Sequence, residues 1–365
     1  MFCVLKKEPR IPICCHESNI PLPLKVLCST EEASETTMNA SDYNIADGDD
    51  YEDEVCEKGE LVKFGSIAIP VFFSVVIILS LIGNILVMVI LALYENLKTL
   101  NNILILNLAI SDLLFTAGLP FWAIYHIWGW FLADMLCNIV SFIFYTGFYS
   151  SVLLLTVITL HRYQAVVHPL SKQGSQKAGY AVAVSITVWL VSIGAAMPSM
   201  LFSTVVPLPH RNGTTNACQY KDAAWTNVGT YQQNLIFFAA FTVMSFCYVR
   251  IVRTIRRTRS NRKNRTLKLI FGIVAVFFLG WIPYNVVIFL RRLSHHLVPP
   301  FDDCDVSTRL DYAFFVCRFI AYSHCCLNPV FYAFVGVKFR THLKSLLYRK
   351  SCDKSKVEEA SNPFI

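Results

Sequence analysis

The sequence predicts an all-α membrane protein, a seven-transmembrane helix bundle with a short amphipathic helix after the seventh span. Two observations carry this prediction. Hydrophobic residues make up 55% of the 365 residues and charged residues 16%, whereas soluble domains contain about 45–50% and about 25%. The apolar residues also come in blocks that are too long for strands or for ordinary core helices.

Seven apolar blocks reach the length of about 20 residues that a helix needs to cross a hydrocarbon layer of about 30 Å. Every backbone amide in such a layer needs a partner within its own segment, so the blocks must be helical. The blocks are residues 67–93, 101–127, 135–161, 178–203, 229–252, 267–290 and 310–334.

The distribution of Lys and Arg orients the bundle, because cytoplasmic loops carry the excess of these residues. The connection RIVRTIRRTRSNRKNRTLK (250–268) and the tail after the last block are both basic, which places both inside. An odd number of crossings then puts the amino terminus outside, where DYNIADGDDYEDEVCEKGE (42–60) is acidic. The net charge of +7 does not indicate nucleic-acid binding, since no aromatic residues interleave the basic loop.

This topology divides the chain into three parts: an extracellular acidic tail (1–66), a transmembrane domain (67–334) and a cytoplasmic part (335–365). The stretch VGVKFRTHLKSLLYR (335–349) places its apolar residues roughly on one face, as an amphipathic helix on a membrane surface would. Residues 1–25 lack the uninterrupted apolar core of about 7–15 residues that a secretory signal has. We therefore predict no signal peptide, and none is required because the first span can act as a signal anchor.

Four of the thirteen cysteines are singled out as disulfide candidates, and all four lie on the outer side, which is oxidising. They are Cys56, Cys137, Cys218 and Cys304. Pairing Cys137 with Cys218, and Cys56 with Cys304, would tie the long loop 204–228 to the third helix and the tail to the last outer loop. Sequence alone leaves the connectivity open. Two outer sequons, at Asn39 and Asn212, predict glycosylation.

Polar side chains inside membrane spans are costly and mark functional positions. The spans contain Asn84, Asp112, Ser151, His324 and Asn328. In a bundle these residues could face one another and hold water or a cation. A transporter would use the same set as an ion pathway, but no inverted repeat and no pair of broken half-helices accompanies it.

Several motifs occur in one order along the spans: GNILV (83–87), LAISDLL (108–114), Arg162, Trp189, GWIPYN (280–285) and NPVFY (328–332). Together they resemble the rhodopsin-like G-protein-coupled receptors. Within that family, HCCLNPVFYAFVGVKFR (324–340), Trp130 before Cys137 and the additional Cys56 and Cys304 resemble the chemokine receptors. The resemblance covers about residues 42–350.

The chain departs from the usual pattern of this family at three points. His161 stands where an Asp usually precedes the arginine of helix three, helix five lacks a proline, and Arg318 stands where chemokine receptors usually have Glu. These departures are similar to the XC-chemokine branch of the family.

The resemblance implies a chemokine receptor of the plasma membrane that takes part in immune signalling. Its ligand would be a small basic chemokine of the XC (lymphotactin-like) type, and its inner partner an inhibitory-class heterotrimeric G protein in support of chemotaxis. Arrestin, receptor kinases and membrane lipid are further implied partners. No cofactor is implied apart from an allosteric sodium ion held by Asp112, Ser151 and Asn328.

The resemblance also assigns the switch that couples ligand to G protein. Arg162, between His161 and Tyr163, would be held inward at rest and freed when helix six swings out. Trp281 would act as the lever above Phe277, with Pro283 as the pivot. The remaining switch residues are Tyr248, Asn328, Pro329 and Tyr332. His161 cannot restrain Arg162 by charge pairing as an Asp would, so we expect some ligand-independent signalling.

The implied ligand residues form two groups. Tyr43 and Tyr51 lie among acidic residues of the tail, a context suited to tyrosine sulfation and to long-range attraction of a basic protein. The second group would line a cavity for the flexible amino terminus of the chemokine, and it comprises Trp122, Phe144, Tyr145, Tyr284 and Arg318.

An enzyme is not expected, because the sequence has no phosphate loop, metal-ligand spacing or nucleophile elbow. No catalytic residue and no metal ligand is therefore assigned. Two alternatives to a signalling receptor remain. A scavenging receptor would bind chemokine without activating a G protein, as the altered triplet at His161 allows, and a transporter is the more distant reading.

Overall fold

The computed structural model describes residues 59–97, 99–168, 178–210, 213–258, 264–296, 298–301, 303–335, 341–343 and 345. The predicted tail residues Tyr43 and Tyr51, the cysteine Cys56 and the sequons at Asn39 and Asn212 lie outside these residues, as does most of the predicted amphipathic stretch 335–349. Within that stretch, Thr341–Leu343 are helical, which fits a short helix after the last span.

The described chain consists of helices and one two-stranded hairpin. In order, the elements are α1 (Gly59–Tyr94), α2 (Leu100–Trp128), α3 (Asp134–Val167), α4 (Ala178–Phe202), β1 (Ser203–His210), β2 (Gly213–Tyr220), α5 (Ala223–Thr258), α6 (Asn264–His295), α7 (Cys304–Tyr322) and α8 (His324–Val335).

The predicted seven-transmembrane bundle is confirmed. Helices α1 to α6 are each long and apolar enough to cross a membrane. The seventh span is divided at Ser323 into α7, of 19 residues, and α8, of 12 residues. Backbone bonds on both sides of Ser323 keep the two pieces joined, since its N–H donates to Phe319 at 3.2 Å and its carbonyl accepts from Cys326 at 3.1 Å.

Several helices extend beyond the apolar blocks that predict them. The first block begins at residue 67 and the helix at Gly59, while α5 runs from Ala223 to Thr258 around the block 229–252. Hydropathy marks the part of a helix that lies in hydrocarbon, whereas a helix that leaves the membrane continues with solvated polar residues. The predicted apolar blocks are therefore shorter than the helices at these ends.

Helix α3 occupies the middle of the bundle, where it contacts α2, α4, α5 and α6. The largest buried side chains are aromatic, and they include Phe115, Phe148, Phe237 and Trp281. Large apolar side chains on the outer faces, such as Leu190 and Leu235, are exposed. This arrangement suits a bundle in lipid, since the tails that surround it are as apolar as leucine.

Glycines allow close packing of the helices at two places. A Cβ on Gly147 of α3 would collide with the backbone N of Phe115 and would lie 2.8 Å from its Cα. A Cβ on Gly83 of α1 would lie 2.8 Å from Cβ and Cγ of Pro329 in α8. Small residues let helix backbones approach each other in membranes, and here they bring α2 to α3 and α1 to α8.

The loop 204–228 contains a β-hairpin that the sequence analysis did not predict. It lies at the end of the bundle that the predicted topology places outside, which we call the outer end, and the opposite end is called the inner end. Strands β1 and β2 pair antiparallel, with Val205 opposite Cys218. The disulfide Cys137–Cys218 ties β2 to the first turn of α3. On the other strand, the N–H of Val205 donates to Asp134 Oδ1 at 2.6 Å. Both strands are thus attached to the outer end of α3.

The second predicted disulfide is described at one of its ends. Cys304 at the start of α7 is disulfide-bonded, and its predicted partner Cys56 lies outside the described residues. The cysteines within the spans are free thiols, and Cys247, Cys325 and Cys326 are buried among apolar side chains. Buried free cysteines of this kind act as small apolar packing residues.

Candidate functional site

A buried polar centre joins α2, α3 and α8. Asp112 accepts hydrogen bonds at Oδ1 from the Ser151 hydroxyl, at 3.1 Å, and at Oδ2 from Asn328 Nδ2, at 2.7 Å. The three residues that the sequence analysis grouped as a sodium site are therefore in direct contact.

One ring nitrogen of His324, close to Asp112, lacks a hydrogen-bond partner among the described residues. His324 Nδ1 lies 2.8 Å from the Ala321 carbonyl, so it carries the proton and donates to that oxygen. The other nitrogen, Nε2, lies 3.9 Å from Asp112 Oδ1 and has no hydrogen-bond partner among the residues that the structure describes. A lone pair that faces a carboxylate is stabilised when a cation or a water lies between them.

The oxygens near Asp112 suit a hard cation. Besides its carboxylate and the Ser151 hydroxyl, the hydroxyl of Ser111 lies nearby, 2.9 Å from that of Ser151. Carboxylate and hydroxyl oxygens are the ligands that alkali and alkaline-earth ions prefer. Within the part of the chain that the structure describes, no group of three or more His, Cys, Asp or Glu residues could hold a metal.

Neighbouring polar contacts attach α1 to this centre. Asn84 Nδ2 donates to the carbonyl of Cys325 at 2.8 Å, and the Ser80 and Thr116 hydroxyls lie 2.7 Å apart. On the other side of α2, Trp189 Nε1 donates to Asn107 Oδ1 at 2.7 Å. Asn84 and Trp189, which the sequence motifs singled out, thus both bind helices together.

Trp281 lies in α6 directly above the polar centre. Its ring centroid is 4.4 Å from that of Phe148, 5.8 Å from Phe277 and 5.3 Å from His324. Two residues further along, Pro283 lies within α6, where it removes one backbone donor. The predicted lever and pivot therefore occupy one stretch of α6 packed against α3 and α8.

The five span residues predicted to contact ligand belong to one network of side chains. Phe144 links Trp122 and Tyr145, with ring centroids at 6.1 Å and 5.6 Å, and it also contacts Tyr322 at 5.4 Å. Tyr322 in turn lies 5.9 Å from Tyr284. Tyr284 also lies 5.7 Å from Phe314, whose ring contacts the guanidinium of Arg318. We call this set the outer aromatic cluster, and it comprises Trp122, Phe144, Tyr145, Tyr284, Phe314 and Tyr322.

Arg318 of α7 is buried, with 6% of its surface exposed. Its Nη2 donates to Nε2 of His126 in α2, at 3.1 Å. Its guanidinium carbon lies 5.2 Å from the ring centroid of Phe314 and 5.6 Å from that of Phe73. The arginine is thus held by one imidazole and by aromatic faces. His126 was missed by the sequence analysis.

A second arginine near the outer end is already neutralised. Arg291 Nε lies 2.7 Å from Asp311 Oδ1, and its guanidinium stacks over Phe314 at 4.3 Å.

The hairpin approaches the same end of the bundle, where the ring of Tyr220 packs against Gly229 of α5. Burial raises the pKa of the Tyr220 hydroxyl, which therefore stays protonated at neutral pH.

At the inner end, Arg162 donates a hydrogen bond from Nη2 to Asn101 Oδ1 at the start of α2. Thr159 precedes Arg162 by about one turn of α3, and its hydroxyl lies 3.4 Å from the hydroxyl of Tyr248 in α5. Asn101 was not among the predicted site residues. Its only sequence signal is a polar side chain in the first turn of a span.

The remaining inner residues are placed as follows. Tyr163 contacts His168, with 3.3 Å between its hydroxyl and Nε2, and the ring of Phe246. His161, next to Arg162, is half-buried. Pro329 packs against α1 at Gly83, whereas the side chain of Tyr332 lies outside the described residues. The role of Tyr332 in the switch therefore stays a prediction.

This arrangement defines a seven-transmembrane receptor. The family model of the 7 transmembrane receptor (rhodopsin family) matches residues 83–332. The chain is 43% identical over 298 residues to "Chemokine XC receptor 1" of Homo sapiens, covering 82% of this chain and 86% of the relative. It is 41% identical over 300 residues to the Mus musculus protein of that name, covering 81% and 88%.

A third relative widens the comparison. "C-C chemokine receptor type 1" of Homo sapiens is 36% identical over 320 residues, which cover 87% of this chain and 90% of that protein. The chain belongs to the chemokine receptor family, within the rhodopsin-type receptors. It is therefore a multi-pass membrane receptor and not an enzyme, and the transporter alternative is wrong.

Proposed function

We propose that this chain is a signalling receptor for an XC-type, lymphotactin-like chemokine. It binds the chemokine at the plasma membrane with its amino terminus outside, and it activates an inhibitory-class heterotrimeric G protein inside, in support of chemotaxis. The identity to two proteins named "Chemokine XC receptor 1" supports the ligand type.

One structural observation carries the signalling part of this proposal. The outer aromatic cluster continues without a break to the polar centre. Tyr284 lies 5.4 Å from Trp281, and Trp281 lies 5.3 Å from His324, which faces Asp112. A ligand that displaces Tyr284 or Tyr322 therefore pushes on α6 through Trp281. Such a contact chain lets ligand binding select between two positions of α6.

The resting position of α6 would be favoured by a sodium ion at Asp112. The contacts of Asp112 with Ser151 and Asn328, and the open nitrogen of His324, support this assignment. Rearrangement of α6 and α8 would change the distances within that oxygen set and release the ion. Sodium would then favour the resting position of α6 and the ligand the active position, so that each would weaken the binding of the other.

At the inner end, Arg162 and Tyr248 would receive the G protein. Outward movement of α6 would open the space beside α3 and α5, and Arg162 would exchange Asn101 for the carboxyl-terminal helix of the G protein. The basic residues of α5, including Arg253 and Arg256, add positive charge at this end. Receptor kinases and arrestin would act on the same open form.

The acidic tail would supply the first contact with the ligand. Long-range attraction between the acids of residues 42–60 and a basic chemokine speeds encounter. Sulfation of Tyr43 and Tyr51 would add negative charge there. The flexible amino terminus of the chemokine would then reach Trp122, Phe144, Tyr145, Tyr284 and Arg318.

The deciding experiment measures inhibition of cAMP in transfected cells that are challenged with a chemokine panel that includes lymphotactin. The expected result is a response to lymphotactin that Arg162→Ala removes without lowering surface expression or ligand binding. No response to any chemokine, despite surface expression, would contradict the proposal.

A scavenging receptor is the second candidate, and His161 favours it because the usual acidic partner of Arg162 is missing. Such a receptor would bind and internalise lymphotactin in the same cells with no change in cAMP. The contact of Arg162 with Asn101 favours the signalling receptor, since it supplies a resting restraint that a conformational switch requires.

A further inference from the structure

Arg318 carries a buried charge that the described part of the protein does not neutralise. No described carboxylate forms an ion pair with it, and its Nε has no hydrogen-bond partner. Arg291, which contacts the same Phe314 ring, is already paired with Asp311. Among the described residues, Arg318 is thus an uncompensated positive charge that touches the outer aromatic cluster at Phe314.

The neighbours of Arg318 hold it in place without supplying negative charge. His126 accepts from Nη2 at 3.1 Å, and a doubly protonated imidazole has no acceptor, so His126 is neutral in this contact. The rings of Phe73, Phe314 and Phe315, with centroids at 5.6, 5.2 and 5.4 Å, favour a cation through their π faces. These contacts fix the guanidinium and leave donors available.

An unpaired buried charge is costly, and a hydrogen-bonded anion offsets that cost. The planar guanidinium presents its donors in a fork that fits both oxygens of a carboxylate. Since Arg318 is held in advance by His126 and three rings, little side-chain entropy is lost when such an anion binds. A positively charged amine, in contrast, is repelled from the same position.

We propose that Arg318, positioned by His126, is the subsite for a carboxylate side chain in the flexible amino-terminal segment of the chemokine. This inference rests on the proposed function, because it identifies the ligand group that this receptor recognises among its aromatic residues. The ligand then uses two opposite charges: a basic surface on the acidic tail, and one acid at Arg318.

The test is a double-mutant cycle with lymphotactin as the probe. Each Asp and Glu that precedes the first cysteine of lymphotactin is changed singly to Asn or Gln. Half-maximal concentrations for cAMP inhibition are measured on wild-type receptor and on Arg318→Gln. We expect one ligand substitution to weaken the response of the wild-type receptor about tenfold and to have no further effect on Arg318→Gln.

Two further receptor variants sharpen the cycle. Arg318→Glu reverses the charge, and a lymphotactin variant with Lys at the responsive acid should restore its response. Arg291→Gln is the matched control, since this arginine is already paired with Asp311 and its loss should leave the dependence on the ligand acid unchanged. His126→Gln keeps a hydrogen-bond acceptor and should retain that dependence, whereas His126→Leu should weaken it.

The outcomes separate this inference from the proposed function. If the wild-type receptor responds to lymphotactin and no acid substitution changes its potency, the subsite is wrong and the receptor function stands. An equal loss for every ligand on Arg318→Gln, without coupling to one acid, also overturns the subsite. A wild-type receptor that is expressed and gives no response to any chemokine contradicts the proposed function itself.

Discussion

The guanidinium of Arg162 donates a hydrogen bond to Asn101, which joins the inner end of α3 to the first turn of α2. His161, the residue before this arginine, cannot offer the carboxylate that usually stands there. Asn101 offers a neutral acceptor from a different helix. A neutral acceptor holds a guanidinium less tightly than a carboxylate does, so the resting state is restrained but not strongly.

Removal of this acceptor should raise signalling without ligand. In Asn101→Ala, Arg162 loses a hydrogen bond of about 1.5 kcal/mol, which shifts the ratio of resting to active receptor about tenfold. The measurement is basal inhibition of cAMP at matched surface expression. Asn102→Ala is the control, since Asn102 donates to the Asn96 carbonyl at 3.0 Å. Equal basal activity in both variants would rule out Asn101 as the restraint.

Restoring an acid next to Arg162 should have the opposite effect. His161→Asp places a carboxylate beside the guanidinium, and a charge-assisted hydrogen bond is about twice as strong as a neutral one. We expect lower basal activity, by a few-fold or more, with ligand-stimulated activity retained. Basal activity is measured in the same cells as for wild type. Identical basal levels would show that this position does not restrain the switch.

The oxygen set at Asp112 should make agonist binding sensitive to sodium. Asp112→Asn removes the negative charge and should abolish the decrease in agonist affinity that sodium chloride causes. Competition binding in sodium and in potassium salts measures the effect. Ser151→Ala should reduce it, because Ser151 donates to Asp112 at 3.1 Å.

Ser150→Ala provides a control for the sodium experiment. Ser150 belongs to the same polar region but contacts Ser111 and the backbone of α3 instead of Asp112. This variant should keep the sodium effect. A wild-type receptor whose agonist affinity is equal in both salts would contradict the site.

Close packing of α2 on α3 should depend on Gly147. In Gly147→Ala the new Cβ collides with backbone atoms of Phe115, which no side-chain rotation can relieve. We expect a loss of about 2 kcal/mol, seen as a melting temperature lower by several degrees in detergent. The control is Gly194→Ala in α4, where a Cβ meets nothing within 4 Å. A melting temperature unchanged in both would show that α2 moves away freely.

The existence of the spans was predictable because a chain in hydrocarbon must satisfy its backbone within each helix, so length and hydropathy decide the element type. The ends of α1 and α5 were not predictable in this way, because the part of a helix outside the membrane depends on local helix propensity and not on hydropathy. The β-hairpin also escaped prediction. Its strands pair with each other and are held by Cys218 and Asp134, and no regular alternation marks them.

The candidate site was likewise predictable from the sequence only in part. Asp112, Ser151 and Asn328 lie in contact, because polar residues in membrane spans turn inward and find one another. The partners Asn101 and His126 were missed. They lie 61 and 192 residues from Arg162 and Arg318, and only the way in which the helices pack decides such pairs.

The hairpin has a consequence for how receptors of this kind diverge. Both of its strands are fastened to the first turn of α3, through Cys218 on one side and Val205 on the other. Ala217, between these two anchors, is buried against the ends of α2 and α3, whereas positions such as Pro207 and Thr214 are exposed. Substitutions at the exposed positions should therefore leave the helices undisturbed, and receptors of this kind can change which partner they admit by mutation there alone.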